Sequence, residues 1–142
     1  MANTHNASVA HLSRAVSTAY YCLYQHLLDD CCLQVFGNQS GLNRARQHLK
    51  RSITHNEIKT KCKGVSEKLD FPPSLVKFAN AIVDLQNERH KADYDENRSF
   101  NLLEVLAIIA KADHAIKSYN RTEKRHRLAF AVWIIREKKN WG

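Results

Sequence analysis

The stretch ERHKADYD, Glu88 to Asp95, puts an arginine, a histidine, two aspartates and a tyrosine within eight residues. Arg89 is the informative one. Leu75, Phe78, Ala79, Ile82, Leu85 and Gln86 trace one helical face, and Arg89 falls next on it. A guanidinium stays charged in any protein, and burying it unpaired is costly. It needs an acceptor: Asp93 one turn later, a backbone carbonyl, or a phosphate in a cleft. Phosphate and carboxylate fit the same bidentate fork, so an intramolecular pair and a ligand can share one site. His90 lies roughly 100° round the helix and does not share that face unless the helix ends there. It reads as a partly exposed helix-end histidine. Asp93 and Asp95 alternate in a turn and would hold Mg²⁺ only with oxygens from elsewhere, and no metal site is expected. Asp84 and Glu88 read as solvent-facing polarity.

Partners for Arg89 are sought on the segment SRAVSTAYYCLYQHL, where Arg14, Ser17 and Tyr21 share a side and Tyr24 lies near the same line. Tyrosine hydroxyls there could reach Arg89 across a groove; the plainer alternative is aromatic packing with satisfied hydroxyls. His26, on the apolar face, reads as a hydrogen-bonded core histidine. Cys22, Cys31, Cys32 and Cys62 form no CxxC pairing, so small buried thiols are expected rather than zinc. No cofactor is expected.

The formal net charge is +8, unevenly spread. Residues 44–68 carry eight basic and two acidic side chains, and residues 117–142 repeat that balance. Two basic segments on a mildly acidic remainder suit a nucleic-acid backbone, the plain alternative being solubility. Arg44, Arg46, Lys50, Arg51, Lys59 and Lys63 are the candidate steering residues. Trp133 and Trp141 could stack a base, but read as a helix-packing residue and a tail residue.

Those residues need elements to hold them. At 142 residues the chain is expected to form a single domain, 1–142, with four Gly and two Pro favouring long helices. Ser8 can cap a first helix near 9–36, with Gly37 as its stop. A segment over 41–52 carries Leu42, Ala45 and Leu49. THNE offers a capping box from Thr54 to Glu57, opening a helix over 54–69 with Lys59, Lys61, Lys63 and Lys68 on its outer surface. Whether 41–69 is one bent helix or two stays open. Pro72 and Pro73 force a boundary, with Pro73 acceptable as a first helical residue. The following helix ends near Lys91 to Tyr94. Ser99 can cap another, with Phe100, Leu103, Leu106, Ala107, Ile109, Ala110, Asp113, Ile116 and Tyr119 inward. A last helix over 123–138 carries Leu128, Ala131, Val132 and Ile135. The expectation is an all-α, four- to five-helix bundle with up-down packing, an additional short helix and a C-terminal helix. No apolar run approaches the roughly 18 residues of a membrane span, and no basic leader precedes one, so a cytoplasmic protein is expected.

Two quoted pieces resemble a known superfamily. SRAVSTAYYCLYQHLL is similar to the first helix of HEPN (higher eukaryotes and prokaryotes nucleotide-binding) proteins, where an arginine precedes an AYY run. FANAIVDLQNERHKADYD resembles the helix and turn of small bacterial members, where R…ADY recurs; the likeness spans most of 9–120. The resemblance implies an all-helical fold and a homodimer. It also implies either a metal-independent endoribonuclease, in some cases a toxin paired with a nucleotidyltransferase-type antitoxin, or a non-catalytic relative. The superfamily's catalytic signature is an arginine, four to six residues, then a histidine. Arg89 matches the arginine, but the histidine would fall on Tyr94, Asp95 or Glu96.

That departure matters chemically. RNA self-cleavage needs the 2′-hydroxyl deprotonated and the leaving oxygen protonated, tasks suited to imidazole near neutral pH. A tyrosine with a pKa of about 10 is a poor substitute. His90 could stand in if the helix unwinds after Arg89, and His48 or His55 could reach in from elsewhere. The leading expectation is therefore a non-catalytic protein binding RNA or a protein partner through a polar groove. Arg89 contacts phosphate or carboxylate there, Asp93 orients it, and Tyr21, Tyr94 and Arg14 line the groove. The alternatives are the ribonuclease, with Arg89 and His90 catalytic, and a structural or antitoxin-binding dimer.

Overall fold

A computed structural model describes residues 2–68 and 70–136 of the chain. It is all-α, a bundle of six helices with no strand among the described residues: α1 (Ala2–Phe36), α2 (Asn43–Ser52), α3 (His55–Lys68), α4 (Pro73–Tyr94), α5 (Leu102–Asn120) and α6 (Lys124–Ile135). The longest helix, α1, packs against α2, α4, α5 and α6, while α3 packs on α4 and α6.

Boundaries follow local chemistry. α1 stops where Gly37 turns to φ +62, and Gly41 at φ +85 closes the same loop. That loop is clamped by Arg46, whose Nη2 donates to the carbonyls of Gly37 and Gln39. The segment 41–69 resolves into two helices broken at Ile53, an extended residue. Both halves of the Thr54–Glu57 capping box form, at 3.1 and 3.2 Å, which fixes the start of α3. Pro72 is the N-cap of α4 and Pro73 its first residue.

Four boundary or face expectations are corrected. α1 begins at Ala2, so Ser8 is interior rather than a cap. α5 is capped by Asn101, not Ser99, through a second capping box with Glu104. The inward face of α5 is also different: Val105, Ala112, Ala115, Ser118 and Tyr119 are buried, whereas Leu103, Leu106 and Ile109 are exposed. Phe100 and Tyr119 are inward as expected. Small residues at 112 and 115 let α5 lie close to its neighbours, and helical spacing then turns the larger leucines to solvent. On α6 the core is carried by Phe130, Ala131 and Ile134, while Leu128 and Val132 are exposed. Leu69, Trp141 and the end of the expected last helix lie outside the described residues.

The main core gathers Tyr20, Leu23, Leu27, Ile58, Cys62, Val65, Leu75, Phe78, Ile82, Leu85, Tyr119 and Phe130. Each leucine-sized side chain buried there contributes about 1.5–3 kcal/mol. Cys31 and Cys62 are fully buried thiols; burial pushes Cys31 up to about 12, with the neighbouring Asp30 adding to it. A polar knot crosses this core. Asp30 of α1 accepts from the Tyr119 hydroxyl of α5 and from Arg127 Nη1 of α6 at 3.0 Å. His26 meets Asn120 Oδ1 through Nε2 at 2.8 Å and lies edge-on to Tyr119.

Candidate functional site

The apolar stripe of α4 is buried as read, from Leu75 to Gln86. Arg89 follows it one turn later with its side chain only 13% exposed. Its Cζ lies 5.4 Å from the ring centroid of Tyr20 and 5.7 Å from that of Tyr21, both on α1. Two aromatic faces thus carry part of the cost of holding the cation away from water. The rest is incompletely met. Arg89 Nη1 reaches Asp93 Oδ2 only at 3.5 Å, and its Nε is buried without a hydrogen-bond partner. Asp93 is itself engaged, accepting from Ser17 Oγ at 2.6 Å through Oδ1.

A second element arrives from α3. Tyr24 Oη donates to the Ile53 carbonyl at 3.1 Å, and Gln86 Nε2 donates to the His55 carbonyl at 3.3 Å. Together with the Thr54–Glu57 box, these bonds fix His55 on the first turn of α3. Its ring stacks on Tyr24, with centroids 4.1 Å apart, and lies edge-on to Tyr21. His55 Nδ1 is 2.6 Å from Tyr20 Oη. Burial drives the Tyr20 phenol well above its ordinary pKa, so it keeps its proton. The direction of this bond is set by the His55 tautomer: with Tyr20 donating to Nδ1, the proton of a neutral His55 sits on Nε2. Desolvation first, and the Arg89 charge second, hold His55 below the usual histidine value.

Arg89, His55 and Gln86 border a half-enclosed cavity of about 450 Å³ between the start of α3 and the last turns of α4, which Tyr20, Tyr21 and Tyr24 do not line. Arg89, Lys59, Lys91, His55 and His90 line it together with Asn56, Gln86 and Asn87. The lining therefore carries three fixed cations and no carboxylate. Lys59 Nζ donates to Asn87 Oδ1 at 2.7 Å. Asp93 and Glu88 stand beside Arg89 and Lys91, at 3.5 and 3.6 Å, without lining the space. Gln86 is 6% exposed, and its Oε1 is buried without a partner. The positive end of the α3 dipole adds to the field at His55 and Asn56. A larger cleft of about 820 Å³ at the other end of α4 is mainly apolar, lined by Phe71, Val76, Ala81 and Ala115, with Asp84 paired to Lys111 at 2.6 Å. The convergent polar chemistry is at the smaller one.

Not every expected residue arrives. Arg14 is exposed, gives its Nε to the Ala10 carbonyl at 3.4 Å, and does not line the cavity. Tyr94 is 67% exposed and packs on His90 at 4.9 Å, outside the lining. Asp95 accepts from the Asn97 amide. Of the steering set, Lys59 alone lines the cavity. Arg46 is spent on the 37–41 loop and Lys50 on Asp29, while Arg44, Arg51 and Lys63 are exposed. Lys61, expected on the outer surface, is half-buried and donates to the Trp133 carbonyl. Trp133 packs between helices, its Nε1 donating to the Lys61 carbonyl at 2.8 Å. His48 is exposed and plays no part in the cavity.

Sequence reasoning passed over Tyr20, Gln86 and Asn56 as site residues and offered His55 only as one of two histidines that could reach in from elsewhere. The i,i+4 pair Tyr20–Tyr24 and the histidine directly after a capping threonine were the available signals. Comparison with family models, curated proteins and solved structures returns no match; the HEPN resemblance is carried by the quoted residues alone.

Proposed function

We propose that this chain is a HEPN-like, cytoplasmic, non-catalytic RNA-binding protein that takes an RNA phosphate into the cavity between α3 and α4. The observation that carries the reading is Arg89: 13% exposed, with one long contact to Asp93 and no carboxylate in the surrounding lining. A fixed cation held so poorly satisfied gains most from an entering anion. Fluorescence anisotropy with short single-stranded RNAs across a salt series tests it. Binding falls with rising salt, and Arg89→Ala weakens it by at least about tenfold, the loss of one charge-assisted hydrogen bond. Affinity unchanged by that substitution, or insensitive to salt, removes the reading.

Ribonuclease activity is the second reading, and His55 beside Arg89 is what favours it. The chemistry needs an imidazole able to take and give a proton, and His55 is biased towards its neutral form with Nδ1 already engaged. Incubation of structured RNA with the protein in EDTA decides it, since 2′,3′-cyclic phosphate ends would establish cleavage. The exposed row Leu102, Leu103, Leu106 and Ile109 on α5 supports the homodimer that the resemblance implies. Light scattering of Leu103→Lys/Leu106→Lys tests it: a dimer reduced to monomer agrees, and an unchanged mass does not.

A further inference from the structure

Resting on the RNA reading of the same cavity, we infer that it is built for a phosphomonoester, the phosphorylated end of an RNA strand, rather than for an internal phosphodiester. Three features point that way. The first is charge. A monoester carries about −1.5 to −2 at neutral pH and a diester −1; the lining offers Arg89, Lys59 and Lys91 and no carboxylate. The second is donor supply. A monoester presents three terminal oxygens, and Arg89 of α4 and Lys59 and His55 on successive turns of α3 all line the space. In the tautomer in which Tyr20 donates to Nδ1, His55 presents an Nε2–H without taking up a proton. The third is shape. The space is half-enclosed, with Gln86, 6% exposed, in its wall and Tyr20, 0% exposed, packed against His55 and Arg89. A half-enclosed space suits the end of a strand better than a strand passing through. At the rim, His90 and the exposed Tyr94 ring, 4.9 Å apart, offer a surface on which the terminal base can stack.

The test measures one RNA octamer in four forms (5′-phosphate, 3′-phosphate, both, neither) by anisotropy, alongside a nucleoside monophosphate in a thermal-shift assay. At least one phosphorylated form is expected to bind about tenfold or more tighter than the hydroxyl-ended strand, and which one identifies the end recognised. His55→Gln is expected to shrink that preference. Equal affinity for all four forms overturns the monoester inference and leaves the RNA reading standing. Stabilisation by the nucleoside monophosphate, with no binding of any RNA form, upholds the monoester site and overturns the RNA reading. No binding of either kind overturns both.

Discussion

Asp93→Asn separates a ligand site from a helix-end ion pair because the two assign it opposite signs. Asp93 Oδ2 stands 3.5 Å from Arg89 Nη1, and its side chain is 34% exposed. An incoming phosphate accepted by the same guanidinium would sit about 6 Å from that carboxylate. Coulomb repulsion at this distance is about 0.7 kcal/mol in a water-like dielectric and about 2.8 kcal/mol at an effective dielectric of 20. With a third of the side chain in water, the lower part of that range applies, about 1 kcal/mol, or roughly a five-fold gain in affinity on neutralisation. The amide still accepts from Ser17 Oγ, so the helix end keeps its cross-link to α1. The pair is long and its carboxylate a third exposed, so its loss costs about 1 kcal/mol of stability, above a fully exposed pair because Arg89 is only 13% exposed. The assay is RNA anisotropy at about 50 mM salt, repeated near 300 mM, where screening should erase most of the difference. Unchanged or weaker binding in Asp93→Asn, together with a marked drop in Tm, would refute the reasoning and make the pair a structural closure.

Other expectations follow from the same coordinates. Asp30→Ala strands Arg127 and the Tyr119 hydroxyl, and should cost about 3 kcal/mol, the lower end for a buried pair because Arg127 keeps some water contact; thermal unfolding should show a Tm roughly 10 °C lower. His55 is held below the ordinary histidine value, so the unfolded chain binds that proton more readily. Its contribution to stability is present above a pH of about 6.5 and is lost as pH falls through its folded value. His55→Gln should flatten the acid side of the stability profile, and Arg89→Met should move the His55 NMR titration upward by removing one of its two causes. A Cβ at Gly64 would lie 3.2 Å from Trp133 Cζ2. Gly64→Val should therefore destabilise by about 1–3 kcal/mol in urea unfolding, whereas Gly64→Ala should be near neutral, its helix-propensity gain of about 1 kcal/mol offsetting the crowding.

Much of the fold was legible because local chemistry agreed with it. The prolines, the Thr54–Glu57 box and Gly37 mark boundaries by backbone rules that operate within a few residues, and the α4 stripe is one unbroken run of core residues. α5 was misread for a physical reason: its exposed face carries the larger side chains, Leu103, Leu106 and Ile109, while the buried one relies on Ala112 and Ala115. A hydrophobic pattern scores size, but close helix packing rewards smallness, and only the neighbouring helices decide between them. At the site, Arg89 was found because its own helix announces it. His55 was not placed there, because its approach depends on Gln86 and Tyr24 reaching across from other helices. Asp30, Tyr119 and Arg127 were missed similarly, being separated by 89 and 97 positions along the chain.

The lip of the cavity is anchored by main-chain oxygens at Ile53 and His55 as well as by the Thr54–Glu57 capping box. Every residue has a carbonyl, so that anchorage is blind to what α2 encodes. The exposed positions of the ten-residue helix ahead of it, Arg44 and His48 among them, could be rewritten with His55 still delivered to the same place, while Arg46, Leu49 and Lys50 keep that helix seated. Variation at those exposed positions would then tune how the molecule meets its surroundings while the chemistry behind it stays put.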